Sequence, residues 1–264
     1  MLSIVVSTYK PDKFQQLQDN ISRSIGNTVY ELIKVDNPGL MGLCSAYNKG
    51  AASARYDVLL FIHDDIEFNT NNWGEILLHH IRRYSQGIIG IAGGNYVPAA
   101  PSGWFIKHGA HTVHSNQETK LLDGVFLAMS KEQYKEMPFN EQIKGYHGYD
   151  TEICTRSAIK YANLLVSDIQ IIHHSEGNPD RQWLENHIQI RDLYGNSMQK
   201  KKNADLEEAA YLSFIKFYFK YYPVNSNNLH KVFKYYPYRA LSFEGHYRII
   251  RKIFVLLKYR KNLQ

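Results

Sequence analysis

Four short apolar runs, separated by stretches with helical periodicity, constrain this chain more than any other feature. Residues 3–8 are β-branched and apolar and run into Pro11, which suits a buried first strand. A helical stretch over 12–25 closes at Gly26-Asn27, and residues 30–35 form a second strand ending at Asp36, before the Asn37-Pro38-Gly39 turn. Residues 43–54 are helix-like with small side chains on one side. Residues 58–62, Val-Leu-Leu-Phe-Ile, are strongly apolar and lead straight into His63-Asp64-Asp65. An amphipathic helix over 73–84 and a buried strand over 87–92 complete the order β-α-β-α-β-α-β. That order predicts a mostly parallel central sheet flanked by helices.

Residues 94–120 then break into Gly, Pro, Asn and His, and a loop that long inside a compact domain is usually functional. Residues 121–130 and 168–172 are expected as later strands, with a helix over about 150–161 between them. After Asp205 the composition shifts to Tyr, Phe and Lys, marking a helical tail. Residues 205–264 hold 11 Lys+Arg against 4 Asp+Glu, whereas residues 1–204 hold 20 against 21. The net charge of +6 therefore belongs to the tail and is no nucleic-acid footprint of the main domain. Two cysteines, Cys44 and Cys154, indicate no disulfide framework. The first apolar run is too short for a signal-peptide core, and no stretch approaches the roughly 20 apolar residues that span a bilayer. A cytoplasmic protein is expected.

In open α/β sheets, ligands bind beyond the carboxyl ends of the strands. Thr8, Asp36, His63-Asp64-Asp65 and His173-His174 are expected at such ends, so residues far apart in sequence would meet on one rim. Adjacent carboxylates at Asp64 and Asp65 repel each other, and a divalent cation bridging them to phosphate oxygens removes that cost. The plain alternative is a solvated turn or a helix cap.

The ordered motifs carry a resemblance. The run Ser3-Ile4-Val5-Val6-Ser7-Thr8-Tyr9 resembles the opening strand of family 2-type glycosyltransferases with the GT-A fold. Gly42…Ala46-Tyr47-Asn48-Lys49-Gly50…Ala54 followed by Phe61-Ile62-His63-Asp64-Asp65 is similar to that family's small-residue helix and Asp-x-Asp strand end. Leu122-Asp123-Gly124-Val125-Phe126 resembles its glycine loop, Gly148-Tyr149-Asp150-Thr151-Glu152-Ile153-Cys154 its catalytic-base segment, and Ile171-Ile172-His173-His174-Ser175-Glu176-Gly177 its late histidine motif. The set covers roughly residues 1–180. Three departures stand out. His63 replaces the first acid, as in a His-Asp-Asp variant of the family. Tyr149 replaces the usual Glu before the base. The Gln-x-x-Arg-Trp motif of processive synthases is not visible, which favours single transfer.

The resemblance implies a GT-A catalytic domain over 1–204, with a nucleotide-sugar half at about 1–95 and an acceptor half at about 120–204. The basic aromatic tail over 205–264 follows it. It implies transfer of a sugar, with inversion, from a nucleoside diphosphate sugar (UDP the expected carrier) to a hydroxyl of a glycan or lipid-linked acceptor. Mn²⁺ or Mg²⁺ would be held by Asp65 and His173, with His63 a further candidate. Thr8, Tyr9, Asp36, Asn48 and Asp64 would contact the nucleotide; Asp123, Gly124 and Tyr149 the donor sugar or acceptor; and Asp150 would be the general base. Other readings stay open: Asp150 as a helix cap, His173 as a core histidine, and Asp36 as a cap on its turn. Alternation along a strand turns His174 to the opposite face from His173. His108, His111 and His114 have metal-like spacing, but their Gly/Pro-rich setting argues against zinc. The competing functions are a nucleotide-sugar-binding module without turnover and a nucleotide-sugar pyrophosphorylase. The second would need a Gly-rich basic loop after the first strand, where Ser7-Thr8-Tyr9-Lys10-Pro11 offers none.

In the tail, residues 211–238 hold eleven Tyr and Phe interleaved with lysines, and 248–260 form an amphipathic helix. Ile249, Ile250, Ile253, Phe254, Leu256 and Leu257 are expected on one face, with Arg248, Arg251, Lys252 and Lys258 opposite. That face docks on the catalytic domain or a second subunit, or lies on an anionic membrane surface.

Overall fold

The computed structural model describes residues 1–84, 86–102, 117–175, 177–195 and 202–258. They form two compact units, one of Met1–Asn95 with Phe105–Asn178 and one of Tyr96–Trp104 with Pro179–Gln264. The histidines at 108, 111 and 114, and most of the loop over 94–120, lie outside the described residues.

In the first unit, β1 (Leu2–Thr8) pairs in parallel with β2 (Tyr30–Asp36) on one side and β3 (Val58–Ile62) on the other. All five residues of β3 are buried, as are six of the seven in β1. Strands covered on both faces read as continuous apolar runs, which is why these two stood out in the sequence. β2 is largely half-buried and bounds the sheet, so it tolerates Glu31 and Lys34. α1 (Pro11–Ser24), α2 (Leu43–Ala52) and α3 (Trp73–Arg83) match the expected helices to within two residues at each end. α2 lies close over β1, because Gly50 faces Val5: a Cβ there would come within 2.3 Å of Val5 Cγ1. Small residues on that helix face are a packing requirement.

The other half of the sheet departs from the expected pattern. Beyond β3 come β9 (Phe126–Ser130), β5 (Ile89–Gly90), β10 (Asn163–Leu165) and β7 (Gln117–Thr119), so the seven strands run in the order β2-β1-β3-β9-β5-β10-β7. β5 and β10 pair in parallel, but β9 is inserted antiparallel between β3 and β5. β7 is an antiparallel edge on β10. The run over 121–130 is not one strand. It breaks into β8 (Leu121–Leu122), which pairs with β6 (Gly93–Gly94), and β9. Between them Asp123 Oδ1 accepts the Val125 amide at 3.0 Å, and this local turn outcompetes ladder pairing. The strand expected over 168–172 is shorter and later, at β11 (Ile171–His173). It lies outside the main sheet and pairs antiparallel with β4 (Ile66–Phe68). Two short helices complete this unit, α4 (Lys131–Glu136) and α5 (Tyr149–Lys160). One apolar cluster draws on β1, β3 and β9 and is walled by Leu17, Ile21, Trp73 and Leu77 of α1 and α3.

The second unit is helical: α6 (Arg181–Tyr194), α7 (Ala204–Tyr221), α8 (Ser226–Phe233) and α9 (Phe243–Lys258). The first three begin at Asp180, Asn203 and Asn225, whose side chains each accept a backbone N–H of the first turn. Tyr211, Phe214, Ile215, Tyr218 and Phe219 of α7 are buried, so many of the tail aromatics are core. α9 packs on α7 and is held by Arg248 to Glu208 at 2.6 Å. No helix among the described residues is long and apolar enough to cross a membrane.

Candidate metal and nucleotide-sugar site

The site grows from the carboxyl ends of β1 and β3. Thr8 is buried there, and its Oγ1 donates to Asp64 Oδ2 at 2.5 Å while accepting the Lys10 amide at 3.1 Å. Asp64 is thereby turned towards β1, and its neighbour Asp65 points elsewhere. The β4–β11 ladder decides where. It registers His173 against Ile66, which carries the late histidine across 108 residues of sequence to the carboxylate of Asp65. His173 Nε2 lies 3.3 Å from Asp65 Oδ1, and His63 Nδ1 lies 3.9 Å from the same oxygen and 3.5 Å from His173 Nε2.

These three atoms fit one ion. A point equidistant from them lies about 2.1 Å from each, the bond length of imidazole nitrogen and carboxylate oxygen to small divalent metals. The electrostatics of the three groups differ in direction. The hydrogen bond from His173 holds the Asp65 carboxyl well below the usual carboxylate range, and the same contact raises the His173 imidazole. Burial pushes His63 the other way, towards the neutral form that ligates metals. Lys13, on the first turn of α1, brings its ammonium to 3.7 Å from Asp65 Oδ2, and Ser175 Oγ stands 3.2 Å from His173 Nε2. Beside this cluster is a cleft of about 430 Å³ bordered by Lys13, Asn20, Arg23, Asp64, Asp65 and His174. His174 faces away from the ion position, towards Glu67 at 3.7 Å.

The second wall of the site is the turn between β8 and β9 together with the start of α5. Gly148, at φ +83°, adopts the left-handed conformation that opens α5 and sets Tyr149 and Asp150 on its first turn. Asp150 accepts the Thr151 amide at 2.7 Å and faces the Gly124 amide at 3.4 Å. Burial, reinforced by the nearby Asp123 carboxylate, pushes the Asp150 carboxyl up to about 7. Gly124 is required by close approach, since a Cβ there would come within 2.0 Å of the Tyr149 hydroxyl. Tyr149 itself is buried, with its hydroxyl 2.7 Å from His63 Nε2.

The structure therefore brings together His63, Asp64, Asp65, Asp123, Gly124, Tyr149, Asp150 and His173, with Thr8 beneath. Tyr9 is exposed beside them. Two expected nucleotide contacts are engaged with other groups. Asp36 is exposed at the sheet edge and pairs with Lys34 at 2.7 Å. Asn48 spends its amide inside the fold: Oδ1 accepts from the Tyr134 hydroxyl and the Phe139 amide, and Nδ2 donates to the Phe139 carbonyl and Glu141. With both ends satisfied, Asn48 braces α2 against residues 134–141. Sequence reasoning passed over Lys13, Tyr47 and Ser175. Lys13 alone had a readable signal, as a cation one turn beyond the first strand end.

A model of the glycosyltransferase like family matches residues 4–204, which is most of the chain and includes every residue of this site. The chain belongs to that family. Solved structures agree on the fold. The chain is similar to GalNAc-T7 with UDP, GalNAc and Mn²⁺, with a TM-score of 0.59 at 13% identity over 97% of this chain and 57% of that one. It is also similar to S. aureus TarS 1-349 with UDP-GlcNAc, with a TM-score of 0.57 at 12% identity over 99% and 87% of the two chains. The complex of TarS 1-349 with UDP gives a TM-score of 0.55 at 12% identity, over 90% and 82%. The chain thus spans little more than half of GalNAc-T7. Among curated proteins no relative matches.

Proposed function

We propose that this glycosyltransferase moves a sugar from a UDP-sugar to a hydroxyl of a glycan or lipid-linked acceptor, with inversion at the anomeric carbon. The observation that carries this reading is the meeting of two chemistries on one rim. A cation-binding triad of His63, Asp65 and His173 faces a carboxylate, Asp150, whose proton affinity suits a base near neutral pH. His63, Asp65 and His173 would hold a divalent ion, which would supply positive charge to the leaving diphosphate. Two imidazoles beside one carboxylate favour Mn²⁺ over Mg²⁺, which prefers an all-oxygen shell.

The remaining work falls to side chains. Asp150 takes the proton of the acceptor hydroxyl as its oxygen attacks the anomeric carbon. The bond from that carbon to the diphosphate breaks, and its electron pair stays with the diphosphate. One base and one in-line displacement leave the new bond on the opposite face, which is inversion. Gly124 and Asp123 border the sugar, and Gly124 allows close backbone approach. Thr8, Tyr9 and Asp64 line the nucleotide side. Asp36 reaches the base once its exposed side chain leaves Lys34. The catalytic portion is taken as residues 1–204.

The acceptor and the location are read from the tail. α9 buries Ile249 and Ile253, but Phe243, Tyr247, Ile250 and Phe254 form a second stripe, spaced four, three and four residues apart, that is exposed. Arg251 and Lys258 flank it, and like charges disfavour seating a second copy of this helix on it. An apolar stripe with basic flanks matches an anionic membrane surface, where lipid-linked acceptors are presented on the cytoplasmic face. The free, buried thiols of Cys44 and Cys154 accord with a reducing compartment.

Titration calorimetry with UDP, with and without Mn²⁺, followed by a donor-hydrolysis screen, tests the central claim. Mn²⁺-dependent UDP binding with turnover is the expected outcome. Binding without turnover of any UDP-sugar would instead make the chain a nucleotide-sugar-binding module.

A further inference from the structure

α1 begins close behind the end of β1, with Pro11 opening its first turn. Residues four apart share a helix face, and on α1 Leu17 and Ile21 are both buried in the apolar cluster. The next residue on that row, towards the helix start, is Lys13. Periodicity asks for an apolar side chain there, so core packing does not account for a lysine. The row carries its ammonium past the edge of the core to the rim of the site, where Nζ lies 3.7 Å from Asp65 Oδ2. Asp65 is therefore shared, with Oδ1 towards His173 and His63 and Oδ2 towards Lys13.

The contact with Lys13 is ionic only. A separation of 3.7 Å is too long for a hydrogen bond, and among the described residues this ammonium donates to no protein acceptor. The side chain is 38% exposed and borders the cleft that also reaches Asp64 and Asp65. Neighbouring lysines are placed otherwise: Lys34 pairs with Asp36 at 2.7 Å, and Lys10 lies over the Tyr9 ring. Lys13 thus brings a positive charge with unspent N–H donors to the edge of the triad.

Charge balance shows what such a group meets. Asp64 and Asp65 together cancel a divalent ion, and ligating imidazoles are neutral. A UDP-sugar carries two negative charges on its diphosphate, and a third develops as the sugar departs. Without a further cation the rim has no surplus positive charge to set against them. We propose that Lys13 binds the donor's diphosphate directly, its ammonium hydrogen-bonding phosphate oxygens beside the cation site of His63, Asp65 and His173. The proposal rests on the UDP-sugar reading and deepens it by naming the side chain that grips the leaving group. A compact ammonium with three rotatable donors suits that role, because it can follow the phosphate oxygens as charge builds on them.

Calorimetry on wild type, Lys13→Met and Lys13→Arg tests this without turnover. Each is titrated with Mn²⁺ alone, and then with UDP or uridine at saturating Mn²⁺. Lys13→Met is expected to weaken UDP binding about tenfold or more, the scale of one charge-assisted hydrogen bond, and to leave uridine binding unchanged. Mn²⁺ alone should bind that variant at least as tightly as wild type, because a like charge beside Asp65 has gone. Lys13→Arg should keep most of the UDP affinity. Methionine and arginine are both good helix formers, so melting of either variant should stay close to wild type. UDP binding at wild-type strength in Lys13→Met overturns the proposal and leaves the donor reading standing. Parallel losses of Mn²⁺ and UDP affinity overturn it too, since they make Lys13 a brace for Asp65, and so does an equal loss of uridine binding. If wild type binds no UDP in the presence of Mn²⁺, the donor reading itself fails and the proposal with it.

Discussion

At the scale of single residues, Asp150 carries the clearest trade between stability and chemistry. Its carboxyl is raised to about 7, chiefly by burial and then by Asp123. A base must be ionised to act, so kcat/KM is expected to rise with pH and level off above about 7, and Asp150→Asn should remove that limb. The same variant should lose transfer by at least about 100-fold, the scale of general-base catalysis, while retaining UDP binding. Linkage runs the opposite way. An acid whose folded pKa lies above its ordinary value of 3.8 stabilises the fold below that value and forfeits the contribution as pH climbs through about 7. Asp150→Asn should therefore melt higher than wild type at pH 8, by an amount of order 1–2 kcal/mol or a few degrees, and differ less at pH 5. Melting curves at the two pH values check the sign. A variant that is both active and unchanged in stability would remove Asp150 from the site.

At the scale of elements, the decisive features are short. β4 and β11 have three residues each, yet their ladder sets His173 against Ile66 and so builds the triad. The turn between β8 and β9 is equally brief and positions Asp123 and Gly124 against the start of α5. Adding a methyl at Gly124 drives it into the Tyr149 hydroxyl. Gly124→Ala is expected to cost about 1–3 kcal/mol by overpacking, and to weaken Mn²⁺ binding because the phenol must leave His63. Chemical denaturation and metal titration of the same variant measure the two effects. Wild-type values in both would show that the turn has slack that its close contacts do not suggest.

At the scale of the whole molecule, the net positive charge is concentrated in the tail, which also carries an exposed apolar stripe. α9 divides its apolar residues between a buried face, at Ile249 and Ile253, and the exposed stripe ending at Phe254. The division corrects the single apolar face expected from periodicity. Ile250 and Phe254 do not share the burial of Ile249 and Ile253, because α9 packs on α7 along one side. Co-sedimentation with vesicles of phosphatidylglycerol and phosphatidylcholine should show binding that falls with added salt and is lost in Phe243→Ser/Phe254→Ser. Equal binding to purely zwitterionic vesicles would discount the basic flank. A concentration-dependent dimer broken by the same pair would assign the stripe to a second copy.

What this amino-acid sequence determined on its own is local. The buried strands at 3–8 and 58–62, the small-residue helix over β1, and the carboxylate pair at a strand end follow from periodicity and from groups adjacent in the chain. The order of those motifs was also enough to name the fold and the strand ends near which Thr8, Asp64, Asp65 and His173 lie. Only the tertiary structure decided that β9 enters the sheet antiparallel, that Asn48 faces inward, and that His173 reaches Asp65 through a separate ladder. It also decided that the Tyr149 hydroxyl stands behind His63. Each of these depends on strand register and on contacts between residues far apart in the chain, and a pattern repeating every two or 3.6 residues contains neither.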